Sequence, residues 1–225
     1  MENRPLLLGH RGARGRKSTP ENTLASFDVA LASGCDGFEF DVRLTADGHA
    51  VVCHDAKIHG SEIAGSSAKD LAKNLAKELK LPLLREVLRR YQATAFLDIE
   101  LKVSGLEKIT VDLLRRYAPD RGFVVSSFLP NVLEAIHGLD ATLSLGLICE
   151  TRVQLARWLH LPVEYVIPHS ALVRQELVAE IKATGKKILV WTVNVPADMK
   201  RFAQLGVDGI ISDDPEQLAL TIKKA

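Results

Sequence analysis

Short continuous apolar runs alternate along this chain with longer segments whose apolar residues recur at helical spacing. The runs predict strands over 5–9, 37–42, 95–101, 122–126, 143–148, 165–167, 187–193 and 209–211. The spaced segments predict helices over 21–33, 68–79, from 82 onward, 106–117, 131–138, 152–159, 172–184, 197–205 and 215–223. In the helix over 21–33, Leu24, Phe27, Val29, Ala30 and Leu31 form the inner side, with Thr19-Pro20 as the opening signal and Gly34 as the stop. Leu71, Leu75 and Leu79 recur every fourth residue, as on one packed helical face. Eight such strands, each followed by helix and apolar on both faces, predict a parallel sheet covered on both sides. The economical arrangement is a closed α/β barrel of the (β/α)8 TIM type. An open doubly wound sheet is the alternative, but no glycine-rich dinucleotide fingerprint follows the first strand. No break in composition divides the chain, so residues 1–225 are expected to form a single domain.

One stretch departs from the apolar pattern. Phe38-Glu39-Phe40-Asp41 alternates within a predicted strand, which puts both carboxylates on one face and both rings on the other. Two acids on one face of a buried strand need a positive partner there. Asp47-Gly48, between two apolar runs, predicts a β-hairpin arm after this second strand. The hairpin would fold His54 and Asp55 back toward Glu39 and Asp41.

Composition narrows the functions available. Lys+Arg 29 against Asp+Glu 28 leaves a net charge of +1, which gives no general field for nucleic acid or an anionic membrane. The lysines at 69, 73, 77 and 80 read as a solvated helical face. The apolar run near Met1 is too short for a signal peptide, and no run approaches the roughly 18 residues of a membrane span. Cys35, Cys53 and Cys149 are scattered in apolar segments and read as reduced core thiols, which points to the cytoplasm.

The barrel turns these observations into geometry, because sites in such barrels sit at the C-terminal ends of the strands. His10 and Arg11 end the first strand, Glu39 and Asp41 the second, and Glu100 and Lys102 the third, while His54 rides on the hairpin. Trp191 lies in the seventh strand, where core packing and a wall for a bound alcohol are both open to it. Three carboxylates form an oxygen-donor set for one hard divalent cation, Mg²⁺ or Ca²⁺. No HExxH or paired-cysteine spacing suggests zinc. Arg11 and Lys102 beside such a cation would hold a phosphate, and two histidines could serve as general acid and base. Glu21 and Asn22 read as loop-orienting residues, His169 as structural, and His49, His59, His137 and His160 as surface or loop positions.

Six segments in this order, His10-Arg11-Gly12, Pro20-Glu21-Asn22-Thr23, Glu39-Phe40-Asp41-Val42, Asp47-Gly48, Val52-Cys53-His54-Asp55 and Ile99-Glu100-Leu101-Lys102, resemble the bacterial glycerophosphodiester phosphodiesterases. Val125-Ser126-Ser127-Phe128, Ile167-Pro168-His169, Val190-Trp191-Thr192-Val193-Asn194 and Gly209-Ile210-Ile211-Ser212-Asp213 extend the resemblance over nearly the whole chain. It implies a phospholipase-C-like phosphodiesterase barrel with one divalent cation on Glu39, Asp41 and Glu100. It also implies acid–base work by His10 and His54, and phosphate binding by Arg11 and Lys102. The substrate would be a small-molecule glycerophosphodiester, cleaved to sn-glycerol 3-phosphate and an alcohol, with no nucleic acid partner and no stable membrane anchor. A homo-oligomer is compatible with the sequence. The alternatives are phospholipase D-like cleavage of lysolipids and a non-catalytic phosphoester-binding barrel. Two departures from the family pattern stand out: a longer, more basic loop over 13–19, and a short stretch after Asp55 without a large cap. The second predicts a poorly covered mouth with polar walls and broad tolerance of the alcohol.

Overall fold

In the computed structural model, which describes residues 4–74 and 81–223, the apolar runs become strands that pair in parallel and close on themselves. In chain order they are β1 (Leu6–Gly9), β2 (Gly37–Leu44), β6 (Phe96–Leu101), β7 (Phe123–Ser127), β8 (Leu145–Cys149), β9 (Tyr165–Pro168), β10 (Lys187–Val190) and β11 (Gly209–Ser212). Each pairs with the next, and β1 pairs with both β2 and β11, so these eight form a closed barrel. Between β2 and β6 lie three short strands, β3 (Ala50–Val52), β4 (Lys57–Ile58) and β5 (Ser61–Glu62). The chain turns at Thr45–Gly48, and β3 runs antiparallel to β2 with Val42 opposite Val52.

The helices are α1 (Leu24–Ala32), α2 (Ala68–Asn74), α3 (Leu84–Tyr91), α4 (Glu107–Arg116), α5 (Pro130–Leu139), α6 (Arg152–Leu155), α7 (Gln175–Ala183), α8 (Pro196–Gln204) and α9 (Pro215–Lys223), of which α2 packs on the segment between β2 and β6 and the others follow the barrel strands. Among the described residues no helix is long and apolar enough to cross a membrane. Strand alternation splits the core in two. Phe38, Phe40, Val42, Leu97, Ile99, Val125, Leu147, Val166, Ile188 and Ile210 face out against the helices. Leu8, Phe96, Val124, Ile148, Tyr165, Ile167, Leu189 and Ile211 fill the barrel. On the outside, the Phe38 ring stacks on Phe27 at 4.2 Å and meets Tyr91 edge-on at 4.9 Å. Burying each such ring contributes about 2–3 kcal/mol and turns the intervening Glu39 and Asp41 inward.

Some element boundaries differ from the sequence pattern for local reasons. Helix α1 is capped by Thr23, whose hydroxyl accepts from Ser26 N, and not by Thr19. Asn22 has φ of +57°, which no helical turn can include, so the helix starts after it. The segment after β8 gives only four α-helical residues and then a 3₁₀ turn (Ala156–His160), because Trp158 is its one buried side chain. The segment after β9 likewise opens as a 3₁₀ turn (Ser170–Leu172) before α7. Strand β10 ends at Val190, so Trp191 sits just past it, bridged to His169. In α2, Leu71 packs with Val51, Cys53 and Ile63, while Lys69 and Lys73 are exposed. Leu75, Lys77, Leu79 and Lys80 lie outside the described residues. The three cysteines are buried free thiols.

Candidate active site

At the C-terminal end of the barrel a cavity of about 330 Å³ opens between the strand ends. It is lined by His10, Arg11, Glu39, His54, Asp98, Glu100 and Lys102 on one side, and by Phe128, Ile148, Ile167, Trp191 and Ile211 on the other, with Glu150 also on its wall. The sequence-predicted residues other than Asp41 line it directly. Asp41 is fully buried behind it, with one carboxylate oxygen within 4.8 Å of those of Glu39 and Glu100.

The convergence follows from register. Strands β2 and β6 pair so that Glu39 lies beside Asp98 and Asp41 beside Glu100, all four facing inward. After β1 the chain makes a left-handed turn at Arg11 (φ +50°) and Gly12 (φ +83°). A Cβ at Gly12 would meet Ser26 Oγ at 2.4 Å, so only glycine fits there. Ser26 pins the turn by donating to Arg11 O and accepting from Ala13 N. The turn aims Arg11 N at Glu39 Oε2, 3.0 Å away. On the other flank, Arg43 Nε donates to His54 O at 2.7 Å and Cys53 N donates to Asp41 O at 2.9 Å, which fixes His54 over the ligand set.

The four acids are far from electrically satisfied. Burial, and then the neighbouring Asp41, Glu100 and Asp98 carboxylates, push Glu39 well above the usual carboxylate range. Burial and Asp41 raise Glu100 to about 7 against the pull of Lys102. Burial raises Asp98 to about 7 although Ser126 Oγ donates to it at 2.5 Å. Burial would raise Asp41 too, but Lys102 and Arg11, with Asn22, outweigh it and hold Asp41 below its ordinary value. Arg11 lies 3.2 Å from Asp41 and 2.8 Å from Glu21, and Lys102 lies 2.7 Å from Glu100 and 3.3 Å from Asp41. Even so, Glu39 Oε1, Asp41 Oδ1 and Glu100 Oε1 are buried without a well-formed hydrogen bond. Of these, Asp41 Oδ1 and Glu100 Oε1 face the Lys102 ammonium at 3.3 and 2.7 Å, while Glu39 Oε1 has no partner among the described residues. Three converging carboxylates with one oxygen wholly unpartnered form the kind of donor set a hard cation takes, so these residues fit the divalent ion the sequence predicts.

Each histidine carries an acid on Nδ1. His10 Nδ1 lies 2.6 Å from Asp213 Oδ1, and its Nε2 lies 3.8 Å from Glu39 Oε2. Burial would raise Asp213, but His10, Asn194 and Arg14 hold it at about 2. An ionised carboxylate only accepts, so His10 donates from Nδ1 and turns Nε2 toward the cavity. His54 Nδ1 meets Asp55 Oδ1 at 2.8 Å.

The pattern reading left Asp213, Asn194 and Asp98 outside the site, although all three support it. Asn194 donates to Asp213 at 2.7 Å and accepts from the Asp213 backbone. Asn22 donates to Asp41 at 2.8 Å, and Glu21 holds Arg11 and Arg14, so both reach past the loop they were expected to orient and contact the site residues themselves. His169 accepts from Ala171 N and caps the 3₁₀ turn after β9, and His49, His59, His137 and His160 are exposed. The expectation of polar walls holds for one side only. The inward positions of β8, β9 and β11 carry isoleucine at the mouth, so half of the wall is hydrocarbon.

The geometry has close parallels. A model of the glycerophosphoryl diester phosphodiesterase family matches residues 10–217. A glycerophosphodiester phosphodiesterase of Caldanaerobacter subterraneus is 32% identical over 241 residues, covering 97% of this chain and 98% of that protein. An Oleispira antarctica phosphodiesterase, solved in complex with the product sn-glycerol-3-phosphate, superposes with a TM-score of 0.84 at 27% identity over 98% of this chain and 97% of that one. A glycerophosphodiester phosphodiesterase from Parabacteroides distasonis shares the fold with a TM-score of 0.85 at 24% identity, covering 100% of this chain and 99% of that one. This chain belongs to the glycerophosphoryl diester phosphodiesterase family, enzymes that hydrolyse glycerophosphodiesters.

Proposed function

We propose that the cavity at the barrel mouth hydrolyses a small-molecule glycerophosphodiester to sn-glycerol 3-phosphate and an alcohol, with one divalent cation held by Glu39, Asp41 and Glu100. The observation that carries the reading is the trio of buried carboxylates whose oxygens approach within 4.8 Å, with Glu39 Oε1 left unpartnered among them. Their all-oxygen chemistry favours Mg²⁺ or Ca²⁺. When bound, such a cation supplies Lewis-acid polarisation of a phosphate oxygen.

The chain's own residues do the rest. Arg11 and Lys102 line the cavity beside the carboxylates and bind the phosphate oxygens. One of His10 and His54 takes the proton of the nucleophile, either water or the neighbouring glycerol hydroxyl, and the other returns a proton to the departing alkoxide oxygen. Where the glycerol hydroxyl attacks, water then opens the resulting cyclic phosphate with the two roles exchanged. Asp213 holds the His10 ring in one tautomer and orientation. Asn22 holds the Asp41 carboxylate in place from behind. Trp191 forms a wall for the departing alcohol. The whole chain serves as one catalytic domain, in a cytoplasmic setting that suits its three buried free thiols.

The test is release of sn-glycerol 3-phosphate from glycerophosphodiesters with and without chelator. Activity should vanish on exhaustive chelation and return with Mg²⁺ or Ca²⁺. Full turnover after chelation would overturn the metal assignment, and no turnover of any diester would overturn the substrate. A gain of more than about a hundredfold from an acyl chain on the glycerol would move the assignment to lysolipid cleavage of the phospholipase D kind.

A further inference from the structure

The charged residues of the cavity wall cluster on β1, β2, β6 and the hairpin, with one exception. Glu150 follows directly on β8, within the isoleucine and aromatic side. Its position is set from the main chain: Glu150 N donates to Gln154 Oε1, part of the Thr151–Gln154 capping box that opens α6. Among the described residues its exposed carboxylate makes no ion pair and no hydrogen bond. Glu150 thus lines the same cavity as the carboxylates and cations of the opposite wall. A phosphodiester is an anion, so an unpaired carboxylate on this wall repels every substrate whose alcohol is neutral or acidic. An alcohol that carries its own positive charge removes that penalty and gains an attraction.

The neighbouring aromatics suit the same ligand. Trp191 spends its only donor on Ile167 O at 3.0 Å. It is clamped edge-on between Phe128 at 5.6 Å and His169 at 5.3 Å. What it offers the cavity is ring carbon, which attracts ammonium groups and their alkyl substituents. Phe128 already carries the Lys102 ammonium 5.7 Å from its ring centre.

We propose that Glu150 and Trp191 form the subsite of the departing alcohol and select alcohols bearing an ammonium group. The assignment rests on the diesterase reading above and adds the chemical class of the leaving group.

The test compares kcat/KM for glycerophosphocholine and for glycerophosphoglycerol, whose alcohol is neutral, in the wild type, Glu150→Gln and Glu150→Lys, with thermal unfolding to confirm folding. The wild type should prefer the choline diester about tenfold, chiefly through KM. Glu150→Gln should bring the ratio near one, and Glu150→Lys should invert it. An unchanged ratio in both variants overturns the subsite and leaves the diesterase reading intact. A wild type that cleaves neither diester overturns the diesterase reading instead. Calorimetric binding of the same two diesters to wild type and Glu150→Gln then decides the subsite, and equal affinities would overturn it.

Discussion

Strands β1, β2 and β6 and strands β7–β11 form the same barrel by the same rule, yet their inward residues at the mouth are opposites. On the first side, Glu39, Asp41, Asp98 and Glu100 occupy the inward positions, all buried. On the second, those positions carry Val124, Ile148, Ile167 and Ile211, with Ser126, level with Glu100 and bonded to Asp98, as the polar exception. The charged side costs stability, since four acids sit out of water with two cations among them and their carboxyls are partly driven to hold protons. The apolar side supplies stability through burial. The outward faces of both halves are equally apolar, so the difference is confined to what the barrel encloses. Function is concentrated where packing alone would have chosen hydrocarbon, and the far strands compensate. Substitutions should therefore separate activity from stability according to the side on which they fall.

The largest separation is expected at the carboxylates. Glu39→Gln should lower kcat/KM by about 10³-fold or more, because a Lewis-acid ion contributes several kcal/mol to the transition state. The same change should raise, or at least hold, the Tm of the cation-free protein at pH 8, since it removes a buried acid facing three other carboxylates. A variant that loses stability and keeps activity would reverse the comparison. Next come the histidines: His10→Ala and His54→Ala should each cost about 10²-fold or more in kcat with cation binding retained. Near-normal turnover in either would make that ring structural.

The charged half was the legible half. Glu39 and Asp41 break an apolar run at a spacing of two, and Glu100 and Lys102 repeat it, so period alone shows which face they share. Asp213 gave no such signal. It follows the last strand in what reads as an ordinary polar turn, and it reaches His10, 203 positions away in sequence, only because β11 closes onto β1. Asn194 is hidden for the same reason. The apolar side misled for a different one. In a continuous apolar run every residue is hydrophobic, so the pattern cannot say which of Leu147 and Ile148, or Val166 and Ile167, faces the mouth. The start of α1 was misplaced because Asn22 gives up helical geometry to hold Asp41.

A smaller effect sharpens the electrostatic side. In the cation-free protein, carboxyls raised above their ordinary values hold protons that the unfolded chain has released. Glu100, at about 7 against an ordinary 4.5, therefore costs stability as pH rises through that window, and Glu39 adds to it. A bound cation displaces those protons and removes the cost. The Tm increase produced by saturating Mg²⁺ or Ca²⁺ should thus grow from pH 5 to about 7 and then level off. An increase that is flat or falling over this range would mean that the raised carboxyls are not the ligands.

The smallest effect tests whether the apolar half acts by packing alone. Gly146 on β8 faces into the barrel, where a Cβ would meet Ile167 Cδ1 at 2.7 Å and Val124 Cγ2 at 2.9 Å. Gly146→Ala should therefore overpack the barrel and cost about 1–3 kcal/mol. Ile167→Val removes the Cδ1 that makes the closer of those contacts, and alone it should cost about 1 kcal/mol by leaving a small void. In the double variant the new methyl occupies space that the lost one vacates, while the Val124 contact persists. The two changes should therefore cost about 1 kcal/mol less together than the sum of the singles, a coupling that a double-mutant cycle of denaturant midpoints resolves. Neither single variant should change kcat/KM by more than about threefold, because the chemistry lies across the mouth on β1, β2 and β6. Additive costs would mean that the two strands do not share one packed layer. A drop of more than tenfold in kcat/KM with little loss of stability would mean that the isoleucine wall takes part in the reaction and does more than hold the barrel.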